Sequence, residues 1–132
     1  MSKEGRFDRT LITAALPYAN GPIHLGHLAG VYLPGDVYSR YLRLKGHPVL
    51  YVCGSDEYGV PITLTALKEG VSPQDVIDRY HAANDAAFRR VGVQFDIYGR
   101  TSWPIHTETV QGFFRNLYDG GHIEKQEMEL WY

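Results

Sequence analysis

A single cysteine, Cys53, excludes any disulfide within the chain and any internal multi-cysteine zinc site. It lies in the apolar run Pro48-Val49-Leu50-Tyr51-Val52-Cys53 and reads as a buried small hydrophobe. No apolar run approaches the ~20 residues that span a bilayer. The polar start, Met1-Ser2-Lys3-Glu4-Gly5-Arg6, has no apolar stretch behind it of the kind that marks a secretory signal. A cytoplasmic location without a membrane partner is the expectation. Neither sign of charge dominates. The net charge of −2 gives no overall pull toward nucleic acid, so RNA binding must use local contacts or parts of a longer protein. Repeats, low-complexity stretches and linkers are missing. So are the G-x-x-x-x-G-K-[ST] phosphate loop and the G-x-S-x-G elbow of serine hydrolases.

What is present is enough apolar residue, 44% of 132, for one domain with a core. Residues 1–8 read as a lead-in. Residues 10–16 form a short run with β-branched members and read as a strand buried on both faces. A helix starts near Gly26. Its apolar positions Leu28, Val31, Tyr38, Tyr41, Leu42 and Leu44 mostly keep helical spacing, with a kink or break at Pro34-Gly35 and a stop at Gly46. Residues 48–53 read as a second strand and residues 54–59 as its loop. Pro61 opens a short helix closed by Gly70. Ser72-Pro73-Gln74-Asp75 is a strong helix start, followed by the stripe Val76, Ile77, Tyr80, Ala83, Ala87, Phe88 and Val91. Residues 95–100 read as a third strand. Pro104 to Asp119 reads as a helix with Val110, Phe113, Phe114 and Leu117 turned inward, and residues 123–132 as a final strand. Strands separated by helical crossovers imply a parallel sheet, the first half of an α/β doubly wound, Rossmann-like fold. Ligands in such sheets bind beyond the C-terminal ends of the strands, where residues 17–27 and 54–59 fall.

The first of these loops carries His24-Leu25-Gly26-His27. Two histidines three apart at a helix start lie on nearly one side, where imidazole N–H groups can donate to phosphate oxygens. The helix N-terminus adds backbone N–H groups and partial positive charge. Gly26 allows close approach of a flat group. The plainer alternative is two exposed histidines beside a turn. A metal site would need a third ligand, with Asp36, His47 or Asp56 as the available guesses. In the second loop, one carboxylate of Asp56 and Glu57 suits a substrate ammonium; a solvated loop acid or a helix cap is the alternative. A carboxylate substrate attacking ATP is already ionised and needs no general base, so catalysis can rest on positioning and charge stabilisation.

The stretch Pro17-Tyr18-Ala19-Asn20-Gly21-Pro22-Ile23-His24-Leu25-Gly26-His27 resembles the HIGH signature of class I aminoacyl-tRNA synthetases. The isoleucyl enzymes share much of that loop. Two features resemble the methionyl family more closely: Ala14-Ala15-Leu16 ahead of the loop, and Cys53-Gly54-Ser55-Asp56-Glu57-Tyr58-Gly59, similar to that family's C-G-x-D-E-H-G. Phe95-Asp96-Ile97-Tyr98-Gly99-Arg100-Thr101 and Val110-Gln111-Gly112-Phe113-Phe114 also resemble it. Tyr58 departs from the family's usual His.

The resemblance implies that His24 and His27 are catalytic, steadying ATP phosphates. With Asn20, which shapes the loop, and Gly26, under the adenine, they would make the ATP site. Asp56 would take the methionine ammonium, and Leu16 and Tyr18 the thioether side chain. ATP with Mg2+, methionine and tRNA(Met) are the implied substrates. The family's K-M-S-K-S signature, the second half of the sheet, the connective peptide with its possible zinc and the anticodon-binding domain are not in these residues. Residues 9–121 would then be the N-terminal half of the catalytic domain and residues 122–132 the start of the connective peptide. The expectation is a fragment nearly inactive alone. A synthetase for isoleucine, valine or leucine is the alternative within the class; a non-catalytic nucleotide- or RNA-binding fragment is the alternative outside it.

Overall fold

The structure, a computed structural model, describes residues 9–127. They belong to two compact units, one ending at Thr101 and one beginning at Ser102. The first unit contains three parallel strands, β1 (Thr10–Thr13), β2 (Val49–Ser55) and β3 (Ile97–Arg100), in the spatial order β1-β2-β3. Between β1 and β2 run α1 (Leu25–His27), a π-helical turn (Leu28–Tyr32) and α2 (Leu33–Leu44). Between β2 and β3 run α3 (Val60–Glu69) and α4 (Pro73–Arg90). Parallel neighbours require crossovers, and helices supply them here, as expected for a Rossmann-like fold.

Local chemistry explains the helix limits. The break expected at Pro34 takes the form of the π turn just ahead of it. The Leu33 N–H reaches back to the Leu28 carbonyl, which widens the turn before a residue whose ring crowds it. Gly35 then lets α2 lie against β2, because a Cβ there would come 2.6 Å from the Tyr51 hydroxyl. α4 starts with a reciprocal cap: the Asp75 N–H donates to Ser72 Oγ and the Ser72 N–H to Asp75 Oδ2, both at 3.1 Å. Gly46 and Gly70 follow α2 and α3 with φ of 75° and 69°.

The strands differ from expectation in length and burial. β1 stops at Thr13, although the chain stays beside β2, with the Ala14 N–H donating to the Val52 carbonyl at 3.2 Å. β2 continues past Cys53 through Gly54 and Ser55, and β3 begins at Ile97 rather than Phe95. β1 is not buried on both faces. Leu11 (63% exposed), Leu50 and Ile97 (51% each) share one face, which is open. The other face carries Ile12, Tyr51, Cys53 and Tyr98 against Leu28 and Tyr32 of the π turn, Phe88 of α4 and Val93. Aromatic rings meet edge-on in this core, Tyr32 to Phe88 at 4.6 Å and Phe88 to Phe95 at 5.1 Å between centroids. Cys53 is half-buried, and burial pushes its thiol pKa up to about 11. A second cluster joins Ala19 to Ile62 and Ala66 of α3 and Val76 and Ile77 of α4. Ala83 and Val91, expected in the α4 stripe, are exposed.

The second unit contains α5 (Pro104–Asp119), with the expected limits. Pro104 opens it and Gly121, at φ 72°, follows it. Val110, Phe113, Phe114 and Leu117 are exposed rather than inward. Helical spacing lines apolar residues up on one face but does not by itself bury that face. Residues 123–127 form no strand, and Met128, Leu130 and Tyr132 of the expected strand lie outside the described residues. No helix among the described residues is long and apolar enough to cross a membrane.

Candidate functional site

Backbone hydrogen bonds join the two loops singled out from the sequence. The Asp56 N–H donates to the Pro17 carbonyl and the Ala19 N–H donates to the Asp56 carbonyl, each at 2.8 Å. This is a parallel bridge pairing Tyr18 with Asp56, beyond the C-terminal end of β2. Bridged residues share a face, so the Tyr18 and Asp56 side chains leave on the same side. Leu16, two residues earlier, is about as exposed as Tyr18. Fully buried Ala19 pins the loop into the α3–α4 cluster, and half-buried Asn20 follows it.

His24 and His27 bond mainly to their own backbone. The Gly26 N–H donates to His24 Nδ1 at 3.1 Å, and the His24 N–H donates to His27 Nδ1 at 3.2 Å. The two rings stack with centroids 3.7 Å apart. A ring nitrogen that accepts carries no proton, so in both neutral imidazoles the N–H is on Nε2. Both histidines are exposed. Each therefore presents one outward donor of the kind a phosphate oxygen accepts. Gly26 permits this fold-back: a Cβ would sit 3.0 Å from His24 Cε1. The Gly26 N–H, expected to be free at the helix start, is occupied by His24.

The structure separates Asp56 from Glu57. Asp56 is partly exposed and accepts the Tyr58 N–H at 3.3 Å. Glu57 is only 4% exposed and faces the opposite way. It is neither a solvated acid nor the cap of α3, whose N-cap is Gly59. Glu57 Oε1 accepts from Ser55 Oγ and from Arg100 Nε, each at 2.7 Å. Ser55 Oγ also lies 2.7 Å from His81 Nδ1, and Arg100 extends to Asp78 at 2.5 Å. Burial lowers the His81 pKa from its ordinary value, and the nearby Arg100 adds to the effect. Burial works to lower the Arg100 pKa too, but the bonds to Glu57 and Asp78 outweigh it, so the guanidinium stays charged.

Asp78, His81, Asn84 and Arg100 do not stand out in the sequence. One signal was available for two of them. His81 and Asn84 lie four and seven residues after Ile77, in phase with the apolar stripe of α4, so they had to face inward and find partners.

Among the described residues, no group of three or more His, Cys, Asp or Glu side chains could hold a metal ion. Asp36, one guessed ligand, is buried and instead accepts from Arg40 Nε at 2.5 Å and the Gln94 N–H at 2.8 Å. A cleft of about 770 Å³ lies away from both loops, lined in part by Arg43, His81, Asp85, Arg89 and Tyr98. Its arginines are paired, Arg43 with Asp96 and Arg89 with Asp85.

Comparison with known proteins identifies the family. The family described as tRNA synthetases class I (M) matches residues 10–132. The methionine–tRNA ligase of Chlorobium chlorochromatii is 57% identical over 132 residues, which is 100% of this chain and 19% of that protein. The methionine–tRNA ligase of Parabacteroides distasonis is 58% identical over 129 residues, 98% of this chain and 19% of that protein. The chain thus spans about a fifth of the length of these curated relatives. Among solved structures, Mycobacterium tuberculosis methionyl-tRNA synthetase in complex with methionyl-adenylate is similar with a TM-score of 0.84. It is 25% identical, and the match covers 87% of this chain and 22% of that one. The chain belongs to the class I tRNA synthetases, in the methionyl family.

Proposed function

We propose that the chain is the N-terminal part of the catalytic domain of a methionine–tRNA ligase. Residues 9–121 belong to the first half of the sheet domain and residues 122–132 to the start of the connective peptide. The longer protein activates methionine with ATP and passes it to tRNA(Met), in the cytoplasm. In the first step a methionine carboxylate oxygen bonds to the α-phosphorus of ATP, and the bond from that phosphorus to diphosphate breaks. The carboxylate is already ionised at neutral pH, so the protein needs to supply no base.

The observation that carries this reading is the Tyr18–Asp56 bridge. It sets a carboxylate and an aromatic ring on one side, next to half-exposed Leu16. That combination suits an amino acid with a free ammonium and a sulfur-containing side chain, because thioethers pack well at aromatic edges. Asp56 takes the ammonium, and Leu16 and Tyr18 contact the side chain. On the same loop, the outward Nε2 donors of His24 and His27 grip the ATP phosphates. Gly26 lies under the adenine, and Asn20 shapes the turn between. Mg2+ enters with ATP, and any zinc belongs to the connective peptide beyond these residues. The names of the relatives and the methionyl-adenylate in the mycobacterial structure support the reading.

The test is ATP–diphosphate exchange by the full-length protein with methionine, isoleucine, valine and leucine. Exchange driven by methionine is expected. A signal with isoleucine alone overturns the amino-acid assignment, and nucleotide binding without exchange favours a non-catalytic fragment. The isolated 132-residue chain should exchange little or not at all.

A further inference from the structure

Along Ser55-Asp56-Glu57, successive side chains leave on opposite sides of extended backbone. Asp56 goes to the open side with Tyr18. Ser55 (0% exposed) and Glu57 turn to the side covered by α4. Their partners come from two other elements. His81 of α4 meets Ser55; Arg100 of β3 grips Glu57 and is itself held by Asp78 of α4. The Glu57 N–H donates to Thr101 Oγ1 at 2.9 Å. His81 lies nearly parallel to the Tyr98 ring, 4.8 Å between centroids, which fixes the imidazole plane.

The same helix also reaches the other loop. Asn84, 1% exposed, accepts the Ile23 N–H through Oδ1 at 3.1 Å. Ile23 immediately precedes His24. Asp78, His81 and Asn84 are three residues apart in turn and form one polar line along α4. His81, directly, and Asp78, through Arg100, reach Ser55 and Glu57 on either side of Asp56; Asn84 reaches Ile23, the residue before His24.

We infer that the Asp78–His81–Asn84 line of α4 is a positioning brace, holding Asp56 through Ser55 and Glu57 and the histidine segment through Ile23. It rests on the reading of the site given above. Misplacing a reacting group by about 1 Å costs on the order of 100-fold in rate, so a shared rigid support has a direct catalytic consequence. The two ends of the brace serve different substrates, and the consequences are therefore separable. Loss at Asn84 loosens the phosphate donors, and loss at His81 loosens the ammonium site.

The test uses steady-state exchange by the full-length protein. Asn84→Leu should lower kcat about 10–100-fold with methionine KM nearly unchanged. His81→Ala should raise methionine KM about 10-fold, with a smaller effect on kcat. Asn84→Asp keeps the acceptor for the Ile23 N–H, and His81→Asn keeps a polar atom at the Nδ1 place; each should recover most of the loss. A purely structural network predicts lower melting temperatures with kcat and KM unchanged in the folded enzyme, and that result overturns the brace. Amide hydrogen exchange at Ile23 separates this inference from the assignment of function. Protection should fall in Asn84→Leu and return in Asn84→Asp even if the wild type proves inactive in exchange. Unchanged protection in Asn84→Leu overturns the Asn84 anchor.

Discussion

His24-Leu25-Gly26-His27 follows β1 and Ser55-Asp56-Glu57 spans the end of β2, yet the two segments are built in opposite ways. The histidine segment is exposed and its imidazoles bond to backbone within three residues. The acidic segment has two of its three side chains buried and tied to residues 26 to 43 positions away. In the first, the rings are oriented by local chain geometry, and a single long-range bond, from the Ile23 N–H to Asn84, fastens the segment. The second is a carboxylate held by the packing of α4 and β3. Local bonds set the direction of each imidazole, whereas long-range packing sets the place of the carboxylate; both routes fix a polar group in advance.

The contrast makes graded predictions. Glu57→Ala removes the buried acceptor of Ser55 and Arg100, while Arg100 keeps Asp78, and should cost about 2–3 kcal/mol of folding stability, measured by urea denaturation. A loss below about 1 kcal/mol would mean that the acidic segment is no better anchored than the histidine segment.

His24→Ala and His27→Ala should do the reverse. Stability should fall by only about 0.5–1 kcal/mol, since both side chains make local capping bonds and neither reaches another element. Each should lower kcat for exchange by the full-length protein roughly 10²–10³-fold. A large drop in melting temperature with little change in kcat would turn these histidines into structural caps.

The smallest effect is on pH dependence. The pKa of His81 is lowered from its ordinary 6.5 by burial first and Arg100 second. Between the lowered folded value and 6.5 the unfolded chain binds more protons than the folded one. His81 should therefore contribute full stability above pH 6.5 and lose it as pH falls through the folded value. Stability measured against pH should slope downward below 6.5, and His81→Asn should flatten that part of the curve. An unchanged slope would remove His81 from the buried network.

Helix boundaries were the most legible part of the fold. Ser72 with Asp75, Pro104, Gly46, Gly70 and Gly121 act over one turn, and α4 and α5 start where these residues place them. Burial was less legible. The apolar spacing of Val110, Phe113, Phe114 and Leu117 fits an inward stripe, but whether a stripe is covered depends on residues outside the helix. The same holds for Leu11, which belongs to an apolar run and lies on the open face of the sheet. β2 runs two residues past its expected end, although Gly54 and Ser55 are turn-type residues. Gly54 is instead held in the ladder opposite Gly99, where a Cβ would meet the Gly99 carbonyl at 2.9 Å.

By itself the sequence determined the two loops, the histidine pair at a helix start and the presence of a carboxylate after the second strand. These depend on residue type and short spacing, which the linear chain displays directly. Only the tertiary structure decided which carboxylate stays open to solvent. Asp56 and Glu57 are adjacent and alike in charge; they differ because strand alternation turns one outward and the other into contact with Arg100 and Ser55. It also decided that His81 and Asn84, ordinary residues of a predicted helix, support the two loops. Their partners lie 26 and 61 positions away, so no local pattern records those contacts.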